Sequence, residues 1–225
     1  MPSWAGVFVF LYGLTSGIAI LTITSYRHVS PWWLKGLLIA SGLLVISRYL
    51  TLALFTIPDA PQRFWTWRHC WFGTSLGLTF PSVVALDQLL RHPAMTPQKL
   101  LARYAPFGAV YIAVMLFAPV ASSPDRLAGW TLHLTPGWRW GLEATQTGFV
   151  LGFLGLGALL IRQVPVRPIR IAIGGLMLAQ AALGMDGLLV SLGVWYPRPF
   201  LFSELLALLA LWHAFETGAA LQRAP

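Results

Sequence analysis

The stretch WAGVFVFLYGLTSGIAILTITS, Trp4 to Ser25, decides the fold. It contains no charged residue, and it is long enough as a helix to cross a bilayer, which takes about 20 residues. Its β-branched and aromatic residues follow neither a two-residue nor a 3.6-residue polar alternation. No face of it is built for water, as expected of a helix whose solvent is lipid. It lacks a basic leader and is longer than a signal-peptide core, so it reads as the first membrane helix itself.

Working outward, apolar runs of the same kind recur at roughly 4–25, 32–57, 67–90, 105–121, 140–161, 169–193 and 199–221. The segments between them are short and marked by Pro, Gly and charge, as in Arg27-His28-Val29-Ser30-Pro31, Pro58-Asp59-Ala60-Pro61 and Val164-Pro165-Val166-Arg167-Pro168. The fourth run is short and bounded by Pro106 and Pro119, and Pro81 is expected to kink the third. The expected fold is all-α: one domain over residues 1–225, an integral membrane bundle of seven transmembrane helices. Composition agrees, because 57% of the 225 residues are hydrophobic and only 10% are charged. Soluble domains carry about 25% charged residues.

The net charge of +8 is distributed between the runs rather than gathered in a patch, which argues against nucleic acid and for orientation in a membrane. With the N-terminus outside, the cytoplasmic segments hold Arg27, Lys35, Arg91, Lys99, Arg103, Arg162, Arg167, Arg170 and Arg223, and the outer segments hold Arg63, Arg68, Arg126, Arg139 and Arg198. The imbalance favours an outer N-terminus and a cytoplasmic C-terminus. The expected location is a cell membrane, the inner one for a bacterial chain, with the lipid bilayer as first partner. Trp32, Trp33, Trp65, Trp67, Trp71, Trp130, Trp138, Trp140 and Trp195 fall near run ends, as in an interfacial aromatic belt. The pairs Gly13/Gly17 and Gly148/Gly152 have the spacing that lets membrane helices approach closely.

Ionisable residues inside such runs are costly, commonly about 2.5–3.5 kcal/mol on insertion scales, and mark function by default. Arg48 lies in the outer half of the second run, and Glu143, Asp186 and Glu204 lie in the outer parts of the fifth, sixth and seventh. A buried arginine needs a carboxylate, and here three stand at matching depth. Arg68 and His69 open the third run from the same side, and Glu143 and Gln146 share a helix face. Together with Trp138 and Trp140 these residues predict an outward-opening polar pocket for a small ligand. The same residues also fit an ion-pair network that only fixes helix order. A second, inner polar group comprises Asp87, His213 and Glu216. It fits either a proton relay or a polar helix end meeting headgroup water.

Enzymatic readings find little support. No G-x-S-x-G, H-E-x-x-H or glycine-rich phosphate loop occurs, the histidines are dispersed, and Cys70 is the single cysteine. No metal or cofactor is called for. The seventh run contains no lysine, so a retinal Schiff base cannot form there.

The loop Arg27 to Pro31, Trp67-Arg68 at the start of the third run, and Gly137-Trp138-Arg139-Trp140-Gly141 leading into the fifth give a layout that resembles the seven-transmembrane sensor region of bacterial histidine kinases. That resemblance implies a receptor-like sensor whose seventh helix feeds an output domain. Only a short tail follows Gly218, so signalling would run through a separate partner. The rival expectations are a transporter or proton-coupled permease, and a non-catalytic scaffold or assembly subunit of a membrane complex.

Overall fold

A computed structural model describes residues 4–90, 95–125, 129–194 and 200–223, the side chains of Trp4 and Arg223 excepted. Arg91, Arg126, Trp195 and Arg198, with the side chain of Arg223, lie outside the described residues. The long helices are α1 (Trp4–Ser25), α2 (Trp32–Leu54), α4 (Gly73–Leu90), α5 (Pro97–Phe117), α6 (Pro136–Gln163), α7 (Arg167–Ser191) and α8 (Leu201–Arg223). A single turn, α3 (Ala60–Arg63), and a 3-10 segment, Trp65–Phe72, link α2 to α4. Among the described residues the only sheet is an antiparallel hairpin, β1 (Val120–Asp125) and β2 (Gly129–Leu134).

Among the described residues six helices are long and apolar enough to cross a membrane: α1 with its 3-10 extension, α2, α5, α6, α7 and α8. Their faces explain why. Large apolar side chains such as Phe10, Leu43, Leu116, Leu151, Leu178 and Phe202 stand exposed along them. In water so much bare apolar surface would drive association. The chain is a multi-helix membrane protein.

The third run differs from expectation. Its first quarter belongs to the 3-10 segment, and only the 18 residues of α4 are α-helical. With Thr74, Ser75, Thr79, Ser82, Asp87 and Gln88, α4 is too polar to rank with the other six. It can be so because it is buried: most of its residues, hydroxyls included, are closed off by protein. Neighbours run around the bundle in the order α1, α2, α4, α5, α6, α7, α8 and back to α1, and α4 also reaches inward to α8 and α7. The fourth run, expected to be marginal, is a full helix. It begins earlier than 105 because Thr96 caps it, its hydroxyl accepting from Lys99 N–H at 3.3 Å, and Pro97 supplies the fixed φ of a first turn. It ends at Phe117, and residues 118–121 belong to the approach and start of β1 instead.

Helix approach is set by glycines other than those the spacing singled out. Gly13, Gly17, Gly148 and Gly152 have nothing within 4 Å of where a Cβ would stand and face away from the bundle. A Cβ on Gly73 would instead sit 2.8 Å from Leu44 O, and one on Gly77 2.8 Å from Ser41 O. Gly73 and Gly77 are what let α4 press its backbone against α2. Close approach also explains Gly129, where the hairpin docks by a 2.9 Å bond from Trp130 N–H to Phe55 O.

Three contacts tie the ends together. The Trp130–Phe55 bond joins the α5–α6 connection to the end of α2. Arg139 Nη2 donates to Val190 O at 3.3 Å, joining the start of α6 to the end of α7. At the opposite end Arg27 lies 4.0 Å from Glu216, joining the α1–α2 turn to the last turns of α8.

Candidate functional site

Arg48 stands six residues before the end of α2, about 9 Å along its axis. Glu204 is in the first turn of α8 and is almost wholly buried. Arg48 Nη2 and Glu204 Oε1 are 3.3 Å apart. Glu204 sits where its helix dipole favours it, a carboxylate in the first turn of a helix. The remaining acceptor capacity of the carboxylate is used by two hydroxyls: Thr74 Oγ1 donates to Oε1 at 2.7 Å and Tyr49 Oη donates to Oε2 at 2.5 Å. Arg48 Nη1 donates to the carbonyl of Trp71, in the last turn of the 3-10 segment. One carboxylate therefore holds α2, α4 and α8 together, and the guanidinium adds the 3-10 segment that leads into α4.

The cluster is closed. Arg48, Tyr49, Thr51, Trp71, Thr74 and Glu204 are all buried. Trp71, counted with the interfacial tryptophans by sequence, is a core residue packed edge-on against Phe55 at 5.5 Å. One donor is left over, because Arg48 Nε is buried without a hydrogen-bond partner. Beside the cluster Phe200 holds a left-handed φ of 76° and accepts from Glu204 N–H at 2.8 Å. Such a conformation costs a non-glycine residue about 1–3 kcal/mol.

The other expected pocket residues are dispersed along the same end. Glu143 pairs with Arg139, Nε to Oε1 at 2.7 Å, one turn apart on the surface of α6. Asp186 accepts from Ser203 Oγ in a shallow cleft of about 280 Å³ between α7 and α8, lined also by Ala182, Phe202 and Leu206. Gln146 accepts from Tyr111 Oη at 2.9 Å. His69 Nδ1 is 2.7 Å from Met115 O, tying the 3-10 segment to the end of α5. Arg68 lies over the Trp65 ring at 5.3 Å and donates to its carbonyl. Trp140 is exposed, and Trp138 lines an apolar groove of about 350 Å³ between α5 and α6. Of the three carboxylates at matching depth, only Glu204 meets Arg48.

The inner group lies at the other end of the bundle. His213 is exposed on α8, Glu216 is associated with Arg27, and Asp87 is half-buried at the end of α4. Among the described residues no cluster of three His, Cys, Asp or Glu could hold a metal ion.

Sequence reading missed Tyr49, Thr74 and the Trp71 carbonyl. Tyr49 was adjacent to Arg48 and Thr74 sat in an apolar run, which was signal enough to ask what they bond. It also missed the buried pairs Thr79–Tyr104, at 2.6 Å, and Gln180–Ser82, where Nε2 donates to Oγ at 2.8 Å and the amide oxygen is left unpaired.

In comparisons with known proteins, no family model matches the chain and no curated protein is significantly similar to it.

Proposed function

We propose that the chain is a seven-crossing integral membrane protein of receptor-like type, with its N-terminus outside the cytoplasm, in which a small anionic ligand acts on the Arg48–Glu204 latch. The observation that carries this reading is the buried Arg48 Nε, a charged donor with no partner. Arginine presents Nε and one Nη as a fork that fits a carboxylate or phosphate edge. An anion taking that fork from Glu204 would release α8 from α2 and α4, a change in helix packing that a partner protein in the membrane could read.

Seven crossings draw support from the length of α4, about 27 Å for 18 residues against a hydrocarbon core of about 30 Å. The contacts at the two ends also fit strictly alternating helices. The orientation draws on charge: Arg27, Lys35, Lys99, Arg103, Arg162, Arg167 and Arg170 stand at the end where α8 finishes, against Arg63, Arg68 and Arg139 at the other.

The test is a thermal titration of purified protein in detergent with acetate, glutamate and inorganic phosphate. At least one of these is expected to shift the wild-type midpoint saturably; an Arg48→Ala protein that still inserts is expected to lose the shift, and Glu204→Gln, which removes the competing carboxylate, is expected to reach it at lower anion concentration. No shift with any of the three would overturn the reading. A second reading, a proton-coupled transporter, draws on α4, where Thr79–Tyr104 and Ser82–Gln180 continue the buried polar groups from the latch toward the middle of the bundle. Accumulation of a labelled solute in proteoliposomes would favour it.

A further inference from the structure

The turn between α6 and α7 holds three arginines within nine residues, the densest positive charge among the described residues. Arg162 lies in the last turn of α6, the connection is only Val164-Pro165-Val166, and Arg167 and Arg170 lie in the first turn of α7. All three are exposed. Among the described residues no carboxylate comes within ion-pair distance of any of them, whereas Arg27, Arg48 and Arg139 each have one. Arg167 and Arg170 are three residues apart and share a helix face. Below them the same face continues as Ile171, Leu178, Met185 and Leu188, all exposed and apolar. On the adjoining helix Leu159, Leu156 and Leu151 are exposed too, and Gly152 and Gly155 leave open space between them. A cationic head above two apolar, partly hollow helix faces matches one kind of molecule in charge and in shape: an anionic phospholipid.

We propose that the α6–α7 corner is a binding site for the phosphate headgroup of an anionic phospholipid. The phosphate lies among Arg162, Arg167 and Arg170, and its acyl chains run along the exposed faces of α6 and α7. Guanidinium groups hold phosphate oxygens in pairs, and basic pockets between membrane helices are established headgroup sites. The proposal rests on the chain being membrane-embedded and is independent of the latch.

The experiment is native mass spectrometry of the full chain in detergent with dioleoylphosphatidylglycerol, dioleoylphosphatidylcholine or free glycerol phosphate added. The wild type is expected to retain one phosphatidylglycerol in preference to phosphatidylcholine. The Arg162→Gln/Arg167→Gln/Arg170→Gln triple variant should lose that affinity by on the order of 100-fold. The control, Lys35→Gln/Lys99→Gln/Arg103→Gln, removes the same charge from the same end and should stay within about threefold of wild type. The R162K/R167K/R170K form keeps the charge, and its retention of lipid shows that loss in the glutamine form is not misfolding. Equal losses in the two glutamine triples would overturn the proposal in favour of a diffuse basic field. An unaffected glutamine triple, or displacement of the lipid by equimolar glycerol phosphate, would overturn it as well.

Discussion

Two arginine–glutamate pairs stand at the same end of this bundle and have opposite physical characters. Arg139–Glu143 is the shorter, at 2.7 Å, yet it lies on the surface of one helix with the arginine exposed. Arg48–Glu204 is longer, at 3.3 Å, but it is buried, spans α2 and α8, and has its carboxylate bonded further by Tyr49 and Thr74. Distance alone would rank them the wrong way round. What separates them is what happens when a partner is removed: an exposed charge is taken up by water, whereas a buried one is left without compensation.

The largest expected effect comes from breaking the buried pair from one side. Arg48→Ala and Glu204→Ala should each cost about 3–5 kcal/mol in equilibrium unfolding from detergent, with α8 the first helix to gain hydrogen exchange. Tyr49→Phe leaves both charges and removes one hydroxyl donated to a carboxylate, a loss of about 1.5–3 kcal/mol in the same assay. Gly77→Ala touches no charge but forces α4 away from Ser41 O and Val45, at about 1–3 kcal/mol; Gly148→Ala, in open space, should cost nothing measurable. The smallest effect belongs to the surface pair. Arg139→Ala should cost less than about 1 kcal/mol and lose even that in high salt. A loss at Arg139 equal to that at Arg48 would erase the distinction.

Much of the fold was legible, because lipid-facing helices must be apolar throughout and backbone polar groups in lipid must be satisfied within the helix. Hence the runs at 4–25, 140–161 and 169–193 fall within a few residues of α1, α6 and α7. The fourth run's helix starts eight residues earlier than expected, and the third run departs further. Apolarity measures exposure to lipid, and α4 has little, so its composition understates its place at the heart of the packing. The same reason inverted the glycines: spacing finds small residues but cannot say which way a helix is turned, and Gly73/Gly77 rather than Gly13/Gly17 face a neighbour. Of the site, the depth of Arg48 and the need for a carboxylate were readable. That Glu204 rather than Glu143 or Asp186 answers depends on α8 packing against α4, a tertiary fact with no local trace. The hairpin between α5 and α6 had no signal strong enough to compete with the apolar run preceding it.

The position of α4 also bears on how the protein is made. A polar segment surrounded by others enters a bilayer poorly alone, and the carboxylate that takes up the hydroxyl of Thr74 is 130 residues downstream. At roughly 5–20 residues per second the ribosome needs about 7–26 s to deliver it. Throughout that interval Arg48 and Thr74 are already synthesised and wait for Glu204, so α8, translated after both helices it joins, is the one that completes the centre of the bundle.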